Sequence, residues 1–228
     1  MRLTGSLAAL LVTAVAPGAP SYAQANAPPP NQPVQAPPSA PAATSPTDGT
    51  IHRHLGFFIR PDIGFGYVSS SATSGRTEAT YSGGAAFVGV SIGGAVAENL
   101  ILAGHVYGTG IRDPSLSLSG VSQSTSDVDV TLGGIGPEVS YYFMPANVYV
   151  SAAVALTRGS IRNGGQQEDT ETGLGLMLGV GKEWWVSDHW ALGAGGRFMT
   201  SWNKDSSAAN APTWSTWGLG AVFSATYN

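Results

Sequence analysis

The sequence contains no cysteine and few charged residues. Because cysteine is absent, the chain can form neither a disulfide framework nor a thiolate metal site, and it cannot carry a cysteine-linked lipid anchor. Lysine, arginine, aspartate and glutamate together make up only 11% of the residues, which is little for a soluble surface. The net charge of −4 gives no electrostatic basis for binding nucleic acid.

The sequence also has no long apolar run. The longest, over residues 7–16, is shorter than the roughly 20 residues that a membrane-spanning helix needs. It follows the positive charge of Arg2, and Ser21 and Ala23 are small residues at the two positions that a signal peptidase recognises. We expect an export signal over residues 1–23, cleaved after Ala23; a retained N-terminal anchor is the alternative.

Residues 24–51 are rich in proline, alanine, glutamine and serine and contain almost no large apolar side chain. Such a composition cannot offset the entropy lost on ordering the chain. We expect a disordered periplasmic segment, partly in the polyproline II conformation, that acts as a spacer. A segment that reaches the cell wall or a periplasmic partner is the alternative.

Eight stretches after residue 52 alternate large apolar side chains with small or polar ones, which is the period of a β-strand. In the sixth, near 173–186, Leu174, Leu176 and Leu178 share one parity and glycines fill much of the other. The remaining stretches lie near 55–68, 82–94, 100–111, 127–143, 148–157, 190–201 and 214–227. The fourth changes phase around Gly133 and Gly134, and there we predict a β-bulge, since glycine tolerates irregular backbone.

The connections alternate between short and long. Short turns fall near 96–99, 144–147 and 187–189, and long connections near 69–81, 112–126, 158–171 and 202–212. The pattern predicts an all-β fold, an eight-stranded antiparallel up-and-down transmembrane β-barrel over residues 52–228, with the long connections on the outer side.

Charge indicates which parity meets lipid. An ionised side chain facing the hydrocarbon costs roughly 2 to 4 kcal/mol, so we place the charged parity inside and the aliphatic parity outside. The alternative is a soluble lipocalin-like barrel with the aliphatic parity turned inward around an apolar ligand. The predicted polar cluster of the lumen comprises Arg60, Asp62, His105, Glu138, Glu183 and Arg197.

Aromatic residues concentrate near the strand ends, as expected for girdles at the two membrane interfaces. The predicted girdle comprises Tyr142, Phe143, Trp184, Trp190, Trp214 and Trp217.

The strand pattern and two segments carry a family resemblance. The segments are Gly-Val-Gly-Lys-Glu-Trp-Trp-Val-Ser-Asp from Gly179 to Asp188, and the last strand with Phe223 and Tyr227 on one parity. The chain resembles the small bacterial outer-membrane β-barrels of the OmpA, OmpX and OmpW kind over residues 52–228. The resemblance implies an integral protein of the bacterial outer membrane with a structural, adhesive or small-solute role. We expect a monomer in contact with outer-membrane lipid and lipopolysaccharide. The resemblance also implies an assembly signal at Phe223 and Tyr227 for the barrel-assembly machinery, although Asn228 departs from the usual aromatic terminus.

The sequence offers no constellation for catalysis. His105 is on the inward parity and His189 falls in a short turn, while His52 and His54 precede the barrel, so no serine, histidine and carboxylate share an outward face near the long connections. We expect no enzyme and no metal or cofactor site. The expected role is structural, or surface interaction with an extracellular ligand through the four long connections; a pore for ions or small solutes is the alternative.

Overall fold

The computed structural model describes residues 53–206 and 212–228. The expected signal peptide (1–23), the Pro/Ala-rich segment (24–51) and His52 lie outside the described residues. None of the described residues forms a helix long and apolar enough to cross a membrane.

The described chain forms eleven strands in one antiparallel sheet. Eight long strands form a ring, because β1 pairs with β2 on one side and with β11 on the other. The predicted eight-stranded barrel is confirmed. The strands are β1 (Phe57–Ser74), β2 (Thr77–Ala97), β3 (Leu100–Arg112), β4 (Ser115–Leu118), β5 (Val121–Ser124), β6 (Val128–Phe143), β7 (Val148–Asn163), β8 (Gln166–Asp169), β9 (Gly173–Trp185), β10 (Trp190–Lys204) and β11 (Thr213–Tyr227).

Sheet structure continues beyond the predicted membrane strands at the long-connection end. The long connection predicted at 69–81 is wrong, since β1 and β2 stay paired up to Ser74 and Thr77 and turn at Gly75, whose φ is +63°. The short strands β4 and β5 form a hairpin beside β2, and β8 pairs with β7. Polar composition marks where a strand leaves the hydrocarbon, whereas its ladder of backbone hydrogen bonds continues into water.

The β-bulge predicted at Gly133 and Gly134 is also wrong. The register between β3 and β6 runs without a shift from Leu100 opposite Tyr141 to Arg112 opposite Asp129. Leu132 and Glu138 share one parity and both are buried, so the facing of β6 does not switch. The apolar phase changes because the lumen itself becomes apolar toward the long connections.

The aliphatic parity faces outward, as the charge argument predicts. Ile63 is 67% exposed and Phe223 is 54% exposed on the outer wall, whereas Arg60 is only 3% exposed inside. The lipocalin-like alternative requires the reverse facing and is therefore wrong. The large apolar surface on the outside of a closed barrel is what a membrane-spanning barrel needs.

Candidate functional site in the barrel interior

The structure places all six predicted lumen residues inside the barrel, on the inward parity of five strands. Each is between 1% and 7% exposed. They lie toward the short-turn end: five of them are at most five residues from the strand end on that side, and Arg197 is at the midpoint of β10. We call this set of six residues the lumen cluster.

Glu138 on β6 is the centre of the first half of the lumen cluster. Its Oε1 accepts a hydrogen bond from Arg60 Nη2 at 2.6 Å, and its Oε2 lies 3.4 Å from His105 Nδ1. Ser140 donates to the same carboxylate at 3.0 Å. The Arg60 guanidinium also lies 4.5 Å from the centre of the Tyr149 ring, a cation–π distance. Glu138 and its partners therefore join strands on opposite sides of the ring.

Two further carboxylates complete the lumen cluster. Arg197 Nη2 donates to Asp62 Oδ2 at 2.7 Å. Glu183 Oε1 accepts hydrogen bonds from the Tyr142 hydroxyl at 3.1 Å and from Thr226 at 2.7 Å. A charge buried in such surroundings is tolerated only when it is paired or hydrogen-bonded. These contacts therefore offset the desolvation penalty of the charged side chains in the lumen.

A serine, a histidine and a glutamate lie together in the lumen, a set that the sequence patterns did not reveal. Ser91 Oγ lies 2.8 Å from His105 Nδ1, the same nitrogen that faces Glu138. Nε2 of His105 is buried and has no hydrogen-bond partner among the described residues. A catalytic triad needs the nucleophile and the carboxylate on opposite nitrogens of the imidazole, so the arrangement does not form one.

Large apolar side chains fill the lumen on the long-connection side of the lumen cluster. Each is at most 6% exposed. Beyond them lies a small internal cavity of about 30 Å³, lined in part by Ser70, Thr216 and Trp214. That volume holds only roughly one or two water molecules. The apolar layer comprises Val68, Phe87, Tyr107, Leu132, Met177 and Met199.

His54 closes the opposite mouth. The side chain is 0% exposed, and its ring stacks on Tyr142 with 3.7 Å between the ring centres. Nε2 lies 2.9 Å from the acceptor Asn147 Oδ1, and the backbone N–H donates to Asn99 Oδ1 at 3.2 Å. Asn99 and Asn147 both have positive φ, and asparagine is among the few residues other than glycine that adopt this conformation readily. Two short turns therefore bend inward and hold the segment before β1.

Burial lowers the pKa of His54 below its ordinary value of 6.5, and the positive charge of Arg60 lowers it further, against an opposing hydrogen bond to Asn147. Below about pH 6.5 the unfolded chain binds a proton at this position that the folded barrel resists. The stability of the barrel should therefore fall as the pH drops from 8 to 5, as measured by urea unfolding at each pH. His54→Gln should weaken this dependence. His189→Gln, at an exposed histidine, is the matched control and should preserve it, and equal profiles for all three proteins would contradict the assignment.

The structure divides the predicted girdle. Phe143, Trp184, Trp190 and Trp217 are between 44% and 52% exposed on the outer wall. Tyr142 is corrected to a lumen residue, since it is 0% exposed and shares the parity of Glu138.

Trp214 is likewise on the inward parity of β11, beside Thr216. It lies 5.9 Å from the Tyr81 ring, and its Nε1 donates to Asp205 at 3.3 Å. Tyr142 and Trp214 were predicted to belong to the girdle because both lie near a strand end. The alternation of side chains along their strands turns both inward.

The predicted assembly residues lie on the last strand. Phe223 faces outward and is 54% exposed. The ring of Tyr227 is 5.3 Å from that of Trp190 and 6.4 Å from that of Phe57. Recognition of these residues by the assembly machinery stays a prediction.

The closed ring, the outward apolar parity and the buried charges define the class as an eight-stranded membrane-spanning β-barrel. No family model matches the chain, and no curated protein matches it in sequence.

Several solved structures are similar in fold. Neisserial surface protein A is 19% identical with a TM-score of 0.45, over 74% of this chain and 96% of its own. The outer membrane protein OprG from Pseudomonas aeruginosa is 12% identical with a TM-score of 0.46, over 78% of this chain and 99% of its own. The outer membrane protease OmpT from Escherichia coli is 10% identical with a TM-score of 0.42, over 76% of this chain and 98% of its own.

Proposed function

We propose that the protein is an integral outer-membrane β-barrel without catalytic activity, whose lumen is closed and whose long connections act at the cell surface. The observation that carries this proposal is the filling of the lumen at three successive levels. The apolar layer lies nearest the long connections, the lumen cluster lies below it, and His54 occupies the mouth at the short turns. An ion would have to displace paired charges and packed apolar side chains to pass.

The absence of catalysis is supported by the burial of the histidine in the lumen. Ser91, His105 and Glu138 are each at most 3% exposed, so a substrate cannot reach them without opening the barrel. Because Ser91 and Glu138 both contact Nδ1 of His105, the carboxylate does not orient the ring from its opposite nitrogen, as a catalytic triad requires.

Surface interaction is supported by the hairpin of β4 and β5. Its turn at Ser119 and Gly120 has positive φ at both residues, as in the tight turns of β-hairpins. Leu118 and Val121 flank the turn and are 42% and 75% exposed. Apolar side chains at an outward tip are available to an extracellular ligand.

Purified protein in planar lipid bilayers should give no steady single-channel openings. The reason is the continuous filling of the lumen described above. Insertion is verified in the same preparation by heat-modifiable mobility on gels, so that an absence of conductance cannot be caused by failure to insert. Steady openings of inserted protein would favour the pore, and recovery of the protein in the soluble periplasmic fraction of cells would refute the membrane location.

A further inference from the structure

The outer wall near the long connections differs between the two sides of the barrel. On β1, β10 and β11 it carries exposed aromatic side chains, namely Tyr67, Trp202 and Trp217. On β3 and β6 the corresponding outward positions are glycines: Gly108, Gly110 and Gly133. The interfacial girdle is therefore interrupted on one side by bare backbone.

Packing within the protein does not require these outward glycines. A Cβ added at Gly108, Gly110 or Gly133 would lie 3.6 to 3.7 Å from its nearest neighbour, an ordinary contact. By contrast, a Cβ at Gly66 would overlap the carbonyl oxygen of Leu219, and one at Gly181 would lie 2.7 Å from the Tyr149 ring. The outward glycines leave open space on the surface.

Two arginines stand at one level above this surface. Arg112 on β3 pairs in register with Asp129 on β6, and Asp129 pairs with Arg162 on β7. Arg112 Nε lies 3.5 Å from Asp129 Oδ1, and Arg162 donates to the neutral Gln167 at 3.2 Å. Together with a floor of small residues they form a cleft of about 580 Å³, the arginine cleft. Its lining includes Gly84, Ala86 and Gly110 as well as Arg112, Asp129 and Arg162.

Two further clefts follow on the same side of the outer wall, toward the short-turn end. The first, of about 560 Å³, is lined in part by Val106, Ile135 and Leu156, with Arg158 at its edge. Arg158 lies 3.5 Å from Asp169. The second, of about 420 Å³, has an almost wholly apolar surface that includes Val154 and Leu176. The outer wall therefore becomes less polar from the arginines down to the apolar cleft. An amphiphile with a charged headgroup and an apolar chain has the same order of polarity.

We propose that the arginine cleft binds the phosphate of a phosphorylated glycolipid of the outer leaflet, with an acyl chain of the same molecule along the two lower clefts. This inference rests on the proposed function, because it needs the long connections to lie at the outer surface. Guanidinium groups bind phosphate through paired, charge-assisted hydrogen bonds. The small residues at the floor of the arginine cleft let a sugar ring approach the backbone. The two apolar clefts below favour binding of a lipid over binding of free phosphate.

The test uses the full-length barrel protein reconstituted in phosphatidylcholine nanodiscs, titrated with diphosphorylated lipid A and, separately, with its dephosphorylated form. Native mass spectrometry or fluorescence then gives the apparent affinity. Arg112→Gln and Arg162→Gln should each weaken binding of the phosphorylated lipid about tenfold. Arg76→Gln, in the turn between β1 and β2, makes the same charge change elsewhere and should have no effect.

Two further variants separate this mode of binding from others. Asp129→Asn removes the negative charge beside the phosphate and should strengthen binding about threefold; weaker binding would overturn direct recognition by the arginines. Gly110→Leu fills the cleft and should abolish preferential binding. Gly196 is also an outward glycine with space around it, and Gly196→Leu should leave preferential binding unchanged.

Failure of the inference is distinguishable from failure of the proposed function. Equal affinity for the two lipids, or unchanged affinity in both arginine variants, in a barrel that inserts with normal heat-modifiable mobility, overturns the glycolipid site alone. Displacement of the lipid by inorganic phosphate at equal concentration assigns a free-anion site and also overturns it. A barrel that does not insert overturns both.

Discussion

Replacement of Glu138 by alanine is expected to lower the free energy of unfolding of the barrel by about 3 to 5 kcal/mol, because it leaves a buried guanidinium without its carboxylate. Arg60 lies 2.6 Å from Glu138, and the two side chains are 4% and 2% exposed. His105 and Ser140 lose the same partner. Urea unfolding of the barrel in lipid vesicles, followed by tryptophan fluorescence and by heat-modifiable mobility, measures the loss.

The matched control is Glu98→Ala. Glu98 pairs with Arg53 at 3.2 Å, but the two side chains are 53% and 50% exposed, so the loss should be at most about 1 kcal/mol. Replacing both Arg60 and Glu138 with apolar residues of similar volume should recover part of the stability, since neither member of the pair is then left as a buried charge without the other. A loss at Glu138 no larger than at Glu98 would contradict a structural role for the lumen cluster.

Much of the barrel could be predicted because alternation along a strand reports a contrast between its two faces. Where lipid lies on one side and paired charges on the other, as around Arg60 and Ile63, the contrast is sharp and the facing is correct. On β6 the contrast disappears, since Leu132 faces an apolar lumen while Gly133 faces outward. The alternation of side chains then predicts a change of facing, although the strand continues unchanged.

Two residues of the interior, Tyr142 and His54, were not predicted from the local pattern of the sequence, for different reasons. Tyr142 shares its parity with Glu138 and Ser140, and this was the one signal that distinguished a lumen residue from a girdle residue. His54 had no such signal, because its partner Asn147 is 93 residues away in sequence. Contacts of this kind depend on ring closure, which brings together turns that no sequence window contains.

The irregularity of β6 lies in its ladder with β7, at Gly136 and Pro137. The register runs from Val128 opposite Asn163 to Ile135 opposite Leu156, and resumes at Glu138 opposite Ala153. Proline has no N–H to donate to a ladder. At Gly136 a Cβ would overlap the carbonyl oxygen of Val154 and lie 2.8 Å from Ala155 Cα. The two strands therefore approach each other closely at this point.

Gly136→Ala is expected to destabilise the barrel by about 2 to 3 kcal/mol, because backbone on β7 must move to admit the methyl group. That backbone is held from its other side, where Val154 pairs with Leu176 on β9. Unfolding in urea, measured as for Glu138, gives the change.

Gly133→Ala is the matched control on the same strand. Its nearest neighbour would be the carbonyl oxygen of Tyr107 at 3.7 Å, so the substitution should be neutral or stabilise by up to about 1 kcal/mol through the unfolded chain. Because both variants make the same chemical change on β6, intrinsic strand preference largely cancels between them. A loss of stability at Gly136 without a loss at Gly133 would follow from close approach of the strands, whereas equal losses would attribute the effect to glycine content and refute the steric account.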